Sequence, residues 1–258
     1  MVDKRKKGIS ADALKIYSLV ILAISILGNG YILQHFQPFH IKELLAHGTF
    51  LDIAMEMSSV TGFAVLSKGV SLVGSLAVPV YAFLMIEGYL YTESMKWHAV
   101  KMLVYSLLME VPFAFYLTHK IVCFDAHNPM IAMVISLLMV WVLNFVHQHI
   151  QRKFIRVWAY IIVVVIAVFL SITSLVNRGV NGSVGTYIVL VSAAMYLFYN
   201  RPIVWRIIVV ILSLIMGFYL APLSLILLYF YNGERRDIVN KYVYYAAYPV
   251  LLIIGALI

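Results

Sequence analysis

Eight long apolar runs account for most of this 258-residue chain, and together they carry only two carboxylates, Glu87 and Glu110. Charge inside a bilayer is costly, so this is the pattern of helices immersed in hydrocarbon. The runs cover about 14–33, 70–91, 98–117, 129–146, 157–176, 184–199, 203–220 and 242–258, each near the roughly 20 residues that cross a bilayer as a helix. Composition agrees, with 64% hydrophobic and 12% charged residues, against about a quarter charged in soluble domains. Such a chain cannot cover its own surface with polar groups, which excludes soluble, disordered, disulfide-stapled and nucleic-acid-binding classes. The expected fold is all-α, a polytopic transmembrane bundle of about eight to ten membrane helices in one domain over residues 1–258. One or two of these are interfacial or re-entrant.

The net charge of +8 resides at the ends of the runs. Lys4, Arg5, Lys6 and Lys7 lie in a basic tail, residues 1–9; Arg152, Lys153 and Arg156 separate two later runs, and Arg235 and Arg236 precede the last. Basic clusters mark cytoplasmic ends and attract anionic lipid headgroups. The N-terminus is therefore expected in the cytoplasm, with the chain integral to the membrane. The first run is longer than a signal-peptide core and no small-residue cleavage site follows it, so it is read as a retained span. Parity then places Phe50–Leu66, which carries Asp52 and Glu56 on one helix face, as an interfacial or re-entrant helix on the outer side. A further span there would put Arg152–Arg156 outside. Pro222 interrupts the seventh run, so Ala221–Tyr231 is either a short returning half-helix or the end of one long helix. The single cysteine, Cys123, has neither a disulfide partner nor ligand spacing around it.

Glu87 and Glu110 are the costly residues. They lie on consecutive runs joined by the short loop Thr92–Trp97, an antiparallel hairpin that can bring both to one polar interior. At 1.5 Å per residue they differ in depth by about 12 Å, too far for a carboxylate pair acting on one bond. Each is either a carboxylate satisfied by nearby donors or held neutral by burial, or part of a substrate cavity. No histidine falls in a membrane interior, and His147 and His149 lack the i,i+4 spacing of helix-borne metal ligands. No metal site is expected. The outer loop 119–129 contains His127, whose imidazole is suited to general-base work, followed by Asn128 and Pro129. The same residues also read as a solvated loop with a helix N-cap at Asn128. Phosphate-binding glycine loops, nucleophile elbows and zinc-protease motifs are absent.

Several stretches resemble the TraX family of membrane proteins, whose namesake is regarded as an acetylase of conjugative pilin. They are Ser10–Ile16, the long block Gly74–Thr92, Glu110-Val111-Pro112-Phe113, Asn128 before an apolar helix, Tyr231-Asn232-Gly233-Glu234-Arg235, and Lys241-Tyr242 through Tyr248-Pro249. They occur in family order along nearly the whole chain. The chain departs from the family pattern at an Asp-His pair in the first helix, here Ser25 and Ile26, and at an Arg, here Ser75. It departs also at a His before Thr92, here Tyr91, and at a His after the terminal Tyr-Pro, here Leu251.

The resemblance implies acyl transfer from acetyl-CoA or another acyl-CoA to a peptide, pilin-like or cell-envelope acceptor. It implies Glu87 and Glu110 at the reacting groups, with His127 replacing the lost base. Tyr91, Asn128, Asn232 and Arg235 would bind substrate. The alternative is a protein of the same fold that has lost catalysis and recognises a lipid or partner helix.

Overall fold

A computed structural model describes residues 8–35, 65–122, 127–174, 184–234 and 241–258. The Phe50–Leu66 helix, Cys123, Arg235 and most of the basic tail fall largely or wholly outside them. The described chain is an all-α bundle: α1 Ala11–His35, α2 Val65–Leu90, α3 Met95–Thr118, α4 Met130–His149, α5 Lys153–Thr173, α6 Val184–Leu197, α7 Pro202–Ile215, α8 Ser224–Tyr229 and α9 Lys241–Leu257. Five of them, α1 to α5, are long and apolar enough to cross a membrane, whereas α6, α7 and α9 are apolar but shorter. The outward faces are apolar too. On α5, Ile161, Ile162, Val165, Ile166 and Phe169 are all exposed, which is stable only in hydrocarbon. The chain is an integral membrane protein.

The seventh run is shorter than its hydropathy suggests because α7 stops at a glycine, well before Pro222. Gly217 has φ +80°, and Phe218 N–H donates to the Ser213 carbonyl at 2.8 Å. That is a Schellman closure, which ends a helix through a left-handed residue. Residues 221–229 then form a separate short element, a 3-10 turn followed by α8. The segment after it reaches the start of α1. Ile9 N–H donates to the Phe230 carbonyl and Asn232 N–H to the Ile9 carbonyl, and the Glu234 carbonyl accepts from Ala11 at the first turn of α1.

Prolines shape the long helices. Each removes an N–H and frees the carbonyl four residues earlier. Pro79 accompanies a turn at Leu76 and Pro112 one at Met109, so α2 and α3 both bend within the bundle. Pro249 lies inside α9 and frees the Tyr245 carbonyl, which receives the Tyr105 hydroxyl of α3 at 2.9 Å. Tyr105→Phe removes that donor and leaves the carbonyl unpaired. It should destabilise the protein by about 1 kcal/mol, measurable as a lowered thermal midpoint in detergent.

Helix α1 packs on α2 and α9, α3 on α4 and α9, and α6 on α2, α4, α5 and α7. The buried centre lies among α1, α2, α4, α6, α7 and α8, where Leu14, Val80, Phe83, Ile86, Leu137, Tyr187 and Trp205 form one cluster. A cavity opens among α1, α2, α3 and α9.

Candidate functional site

That cavity holds about 530 Å³, within the range of small-molecule sites. Three basic side chains, Lys15 of α1 with His98 and Lys101 of α3, line it, as do Tyr244 and Tyr245 from the start of α9. Lys15 pairs with Asp12 at 2.9 Å and sits 5.3 Å over the Tyr244 ring, so the first turns of α1 and α9 meet at this end. Away from it the lining is uncharged and mostly apolar: Leu22, Ile26, Phe113, Leu251 and Leu252 close it together with the polar Ser25, Asn29 and Ser71, with Met133 and Ile188 on a further wall.

A hydrogen-bonded seam joins α1 to α2 beside the deep part. Asn29 donates to the Ser25 carbonyl at 3.0 Å and to Ser71 Oγ at 3.3 Å, and Ser67 donates to Asn29 Oδ1 at 3.1 Å. Nearby, Tyr116 donates to the Ile26 carbonyl at 3.0 Å. These contacts hold polar groups of helix interiors without charge, which is how polar side chains join helices in membranes.

His98 is a site residue that sequence reasoning missed. It lies in the first turns of α3, where it reads as a loop-end residue, yet it lines the cavity. Its Nε2 is buried without a hydrogen-bond partner, close to Gly88. Lys101, one turn along, makes no ion pair among the described residues.

The residues expected to act together occupy two clusters, and neither carboxylate lines the cavity. Buried Glu87 accepts the Tyr231 hydroxyl at 2.6 Å, tying the segment after α8 to α2. Asn232 belongs to this fastening, with Oδ1 accepting from Glu234 N–H at 2.8 Å. Tyr91 ends α2 and is largely exposed, off the cavity wall. Glu110 meets the loop before α4: its Oε2 is 3.1 Å from His127 Nδ1, and its Oε1 accepts from Asn128 N–H at 3.1 Å. Asn128 Oδ1 in turn caps α4 through Met130 N–H at 3.0 Å. Its Nδ2 is buried without a partner, and the cavity-lining Tyr248 hydroxyl is 3.5 Å from its Oδ1. Of the two readings of the 119–129 loop, the side-chain contact from Asn128 to the start of α4 forms, and the His127 imidazole sits on the Glu110 carboxylate. Among the described residues no three His, Cys, Asp or Glu side chains cluster as a metal site.

Ser25, Ile26, Ser75 and Leu251, the interior positions that the sequence reading sets apart from the resemblance, all line this one cavity. They come from three different helices and are separated by up to 226 residues of sequence. Comparison with curated proteins and with solved structures gives no match. The family model described as TraX protein matches residues 10–258. With nearly its whole length matched and an all-α membrane bundle as its fold, the chain belongs to the TraX family.

Proposed function

We propose that this protein is a membrane acyltransferase that takes an acyl group from acyl-CoA and passes it to a peptide, pilin-like or cell-envelope acceptor in the cavity among α1, α2, α3 and α9. The observation that carries this reading is the convergence of Ser25, Ile26, Ser75 and Leu251 on one cavity that also holds His98 and Lys101. Where the resemblance implies an acid, two imidazoles and a guanidinium, this chain supplies an imidazole and an ammonium from α3.

Imidazole is the side chain on this wall whose ordinary pKa lies near neutrality. In the proposed step the His98 imidazole takes the proton as the acceptor's amine or hydroxyl attacks the thioester carbon. The C–S bond then breaks, and the proton passes to the departing CoA thiolate. Lys15 and Lys101 face the anionic part of the donor, consistent with a basic cytoplasmic end. Glu87 with Tyr231 and Glu110 with His127 act as positioning pairs, holding α2 and α3, which line the cavity, to the segments beside them.

Purified protein in lipid nanodiscs, incubated with radiolabelled acyl-CoA and cell-envelope membranes, should move label to an acceptor. Acyl-CoA binding no greater than that of an unrelated membrane protein would sink this reading. A second reading rests on Ser25 and Ile26, which cannot exchange a proton near neutral pH: the cavity binds its ligand without turning it over. Saturable acyl-CoA binding with no transfer to any acceptor would favour it.

A further inference from the structure

We infer that the acyl group received by this cavity is a long chain rather than acetyl, so that the donor is a long-chain acyl-CoA. This rests on the acyl-CoA reading above and names its substrate class. The first observation is depth. Lys15 and Ile26 both line the cavity and are eleven residues apart on α1, which is about 16 Å along a helix. On α9 the lining runs from Tyr244 to Leu252, so a second helix extends in the same direction. Half of a hydrocarbon core about 30 Å thick is about 15 Å, the space filled by the acyl chains of one leaflet. The cavity therefore has the length of a membrane acyl chain.

Its chemistry is graded along the same axis. The basic side chains Lys15, His98 and Lys101 gather at one end; the far end carries no charge and is mostly apolar, with Leu22, Ile26, Phe113, Leu251 and Leu252 beside the neutral Ser25 and Asn29. A ligand complementary to this wall is anionic at its head and apolar along its tail. CoA supplies the anionic head and the thioester beside His98, and an unbranched chain fills the remainder. An acetyl group would leave most of the 530 Å³ unfilled, giving up the hydrophobic gain of every methylene the cavity can bury.

The test uses the full-length protein in nanodiscs with acetyl-, octanoyl-, dodecanoyl- and hexadecanoyl-CoA, empty nanodiscs serving to subtract partition into lipid. Affinity should rise at least about a hundredfold from acetyl- to dodecanoyl-CoA. Leu251→Trp, which fills the far end, should move the preferred chain length downward; Leu22→Trp does the same from α1 should the first variant fail to fold. Acetyl-CoA binding as tightly as dodecanoyl-CoA, or a length preference unmoved in folded tryptophan variants, overturns the long-chain assignment and leaves acyl-CoA use standing. Absence of binding by every thioester overturns both. Stronger occupancy by a single-chain anionic lysolipid than by any acyl-CoA assigns the cavity to a membrane lipid and overturns the donor assignment.

Discussion

Gly30→Leu should unfold the protein or destabilise it by about 3 kcal/mol or more. A Cβ at Gly30 of α1 would collide with the carbonyl oxygen of Gly255 in α9 and lie 2.9 Å from its carbonyl carbon. Backbone, unlike a side chain, cannot rotate out of the way, so α1 and α9 must separate. Close approach through small residues is a main source of helix association in lipid, where apolar side chains gain little by leaving one apolar medium for another. Separation also disturbs Ile26, whose carbonyl receives Tyr116 and whose side chain packs with Phe113 and Leu252. Other glycines give a graded scale. Gly255→Ala would meet the Ile26 and Tyr116 side chains at 2.9 and 3.0 Å, which can give, and the Ile26 carbonyl oxygen only at 3.3 Å, and should cost less. Gly69→Ala meets nothing within 4 Å and should be neutral or slightly stabilising, because alanine is the better helix former. Thermal midpoints in one detergent should follow the order Gly30→Leu, Gly255→Ala, Gly69→Ala from lowest to highest.

That the apolar runs form helices was legible because runs bounded by charge have few other solutions in a membrane. The ends of the short helices were not. Through Gly217 the chain stays apolar as far as Leu220, so hydropathy continues where the backbone turns; the glycine was the readable signal, and its weight depended on the Ser213 and Phe218 contact that closes it. Glu87 and Glu110 stood out in sequence by their cost in lipid, and both have close partners, but those partners lie 144 and 17 residues away. A cost argument identifies a residue that must be satisfied; it does not tell satisfaction from chemistry. His98 shows the converse. Next to a loop it reads as solvated, and its place on a cavity wall depends on α1 and α9, whose residues come from the two ends of the chain. Ser25, Ile26, Ser75 and Leu251 could be found one by one in sequence, whereas their shared location required the packing of α1, α2 and α9.

His98→Gln should lower the rate of acyl transfer about a hundredfold or more while leaving acyl-CoA affinity within a few-fold, the loss expected when a general base is replaced by a neutral amide of similar reach. Glutamine keeps a polar group on the wall but cannot hold a proton in transit, so turnover falls and donor binding does not. Lys101→Gln separates the roles from the other side. With no carboxylate of the described chain paired to it, Lys101 is available to an anionic donor, and its loss should raise the KM for acyl-CoA with kcat little changed. His127 gives the third comparison. It lies on Glu110 Oε2 and does not line the cavity, so His127→Gln should reach transfer only through the fit of the loop before α4. It should therefore change kcat by less than about threefold while lowering the thermal midpoint. The reverse outcome, with His127→Gln abolishing transfer and His98→Gln sparing it, would move the base to the Glu110 cluster. Tyr248, which lines the cavity and lies 3.5 Å from Asn128 Oδ1, is the contact through which that cluster could reach the substrate. Measuring kcat and KM separately for the three variants therefore places the proton-transfer group either on the cavity wall at His98 or in the Glu110 cluster outside it.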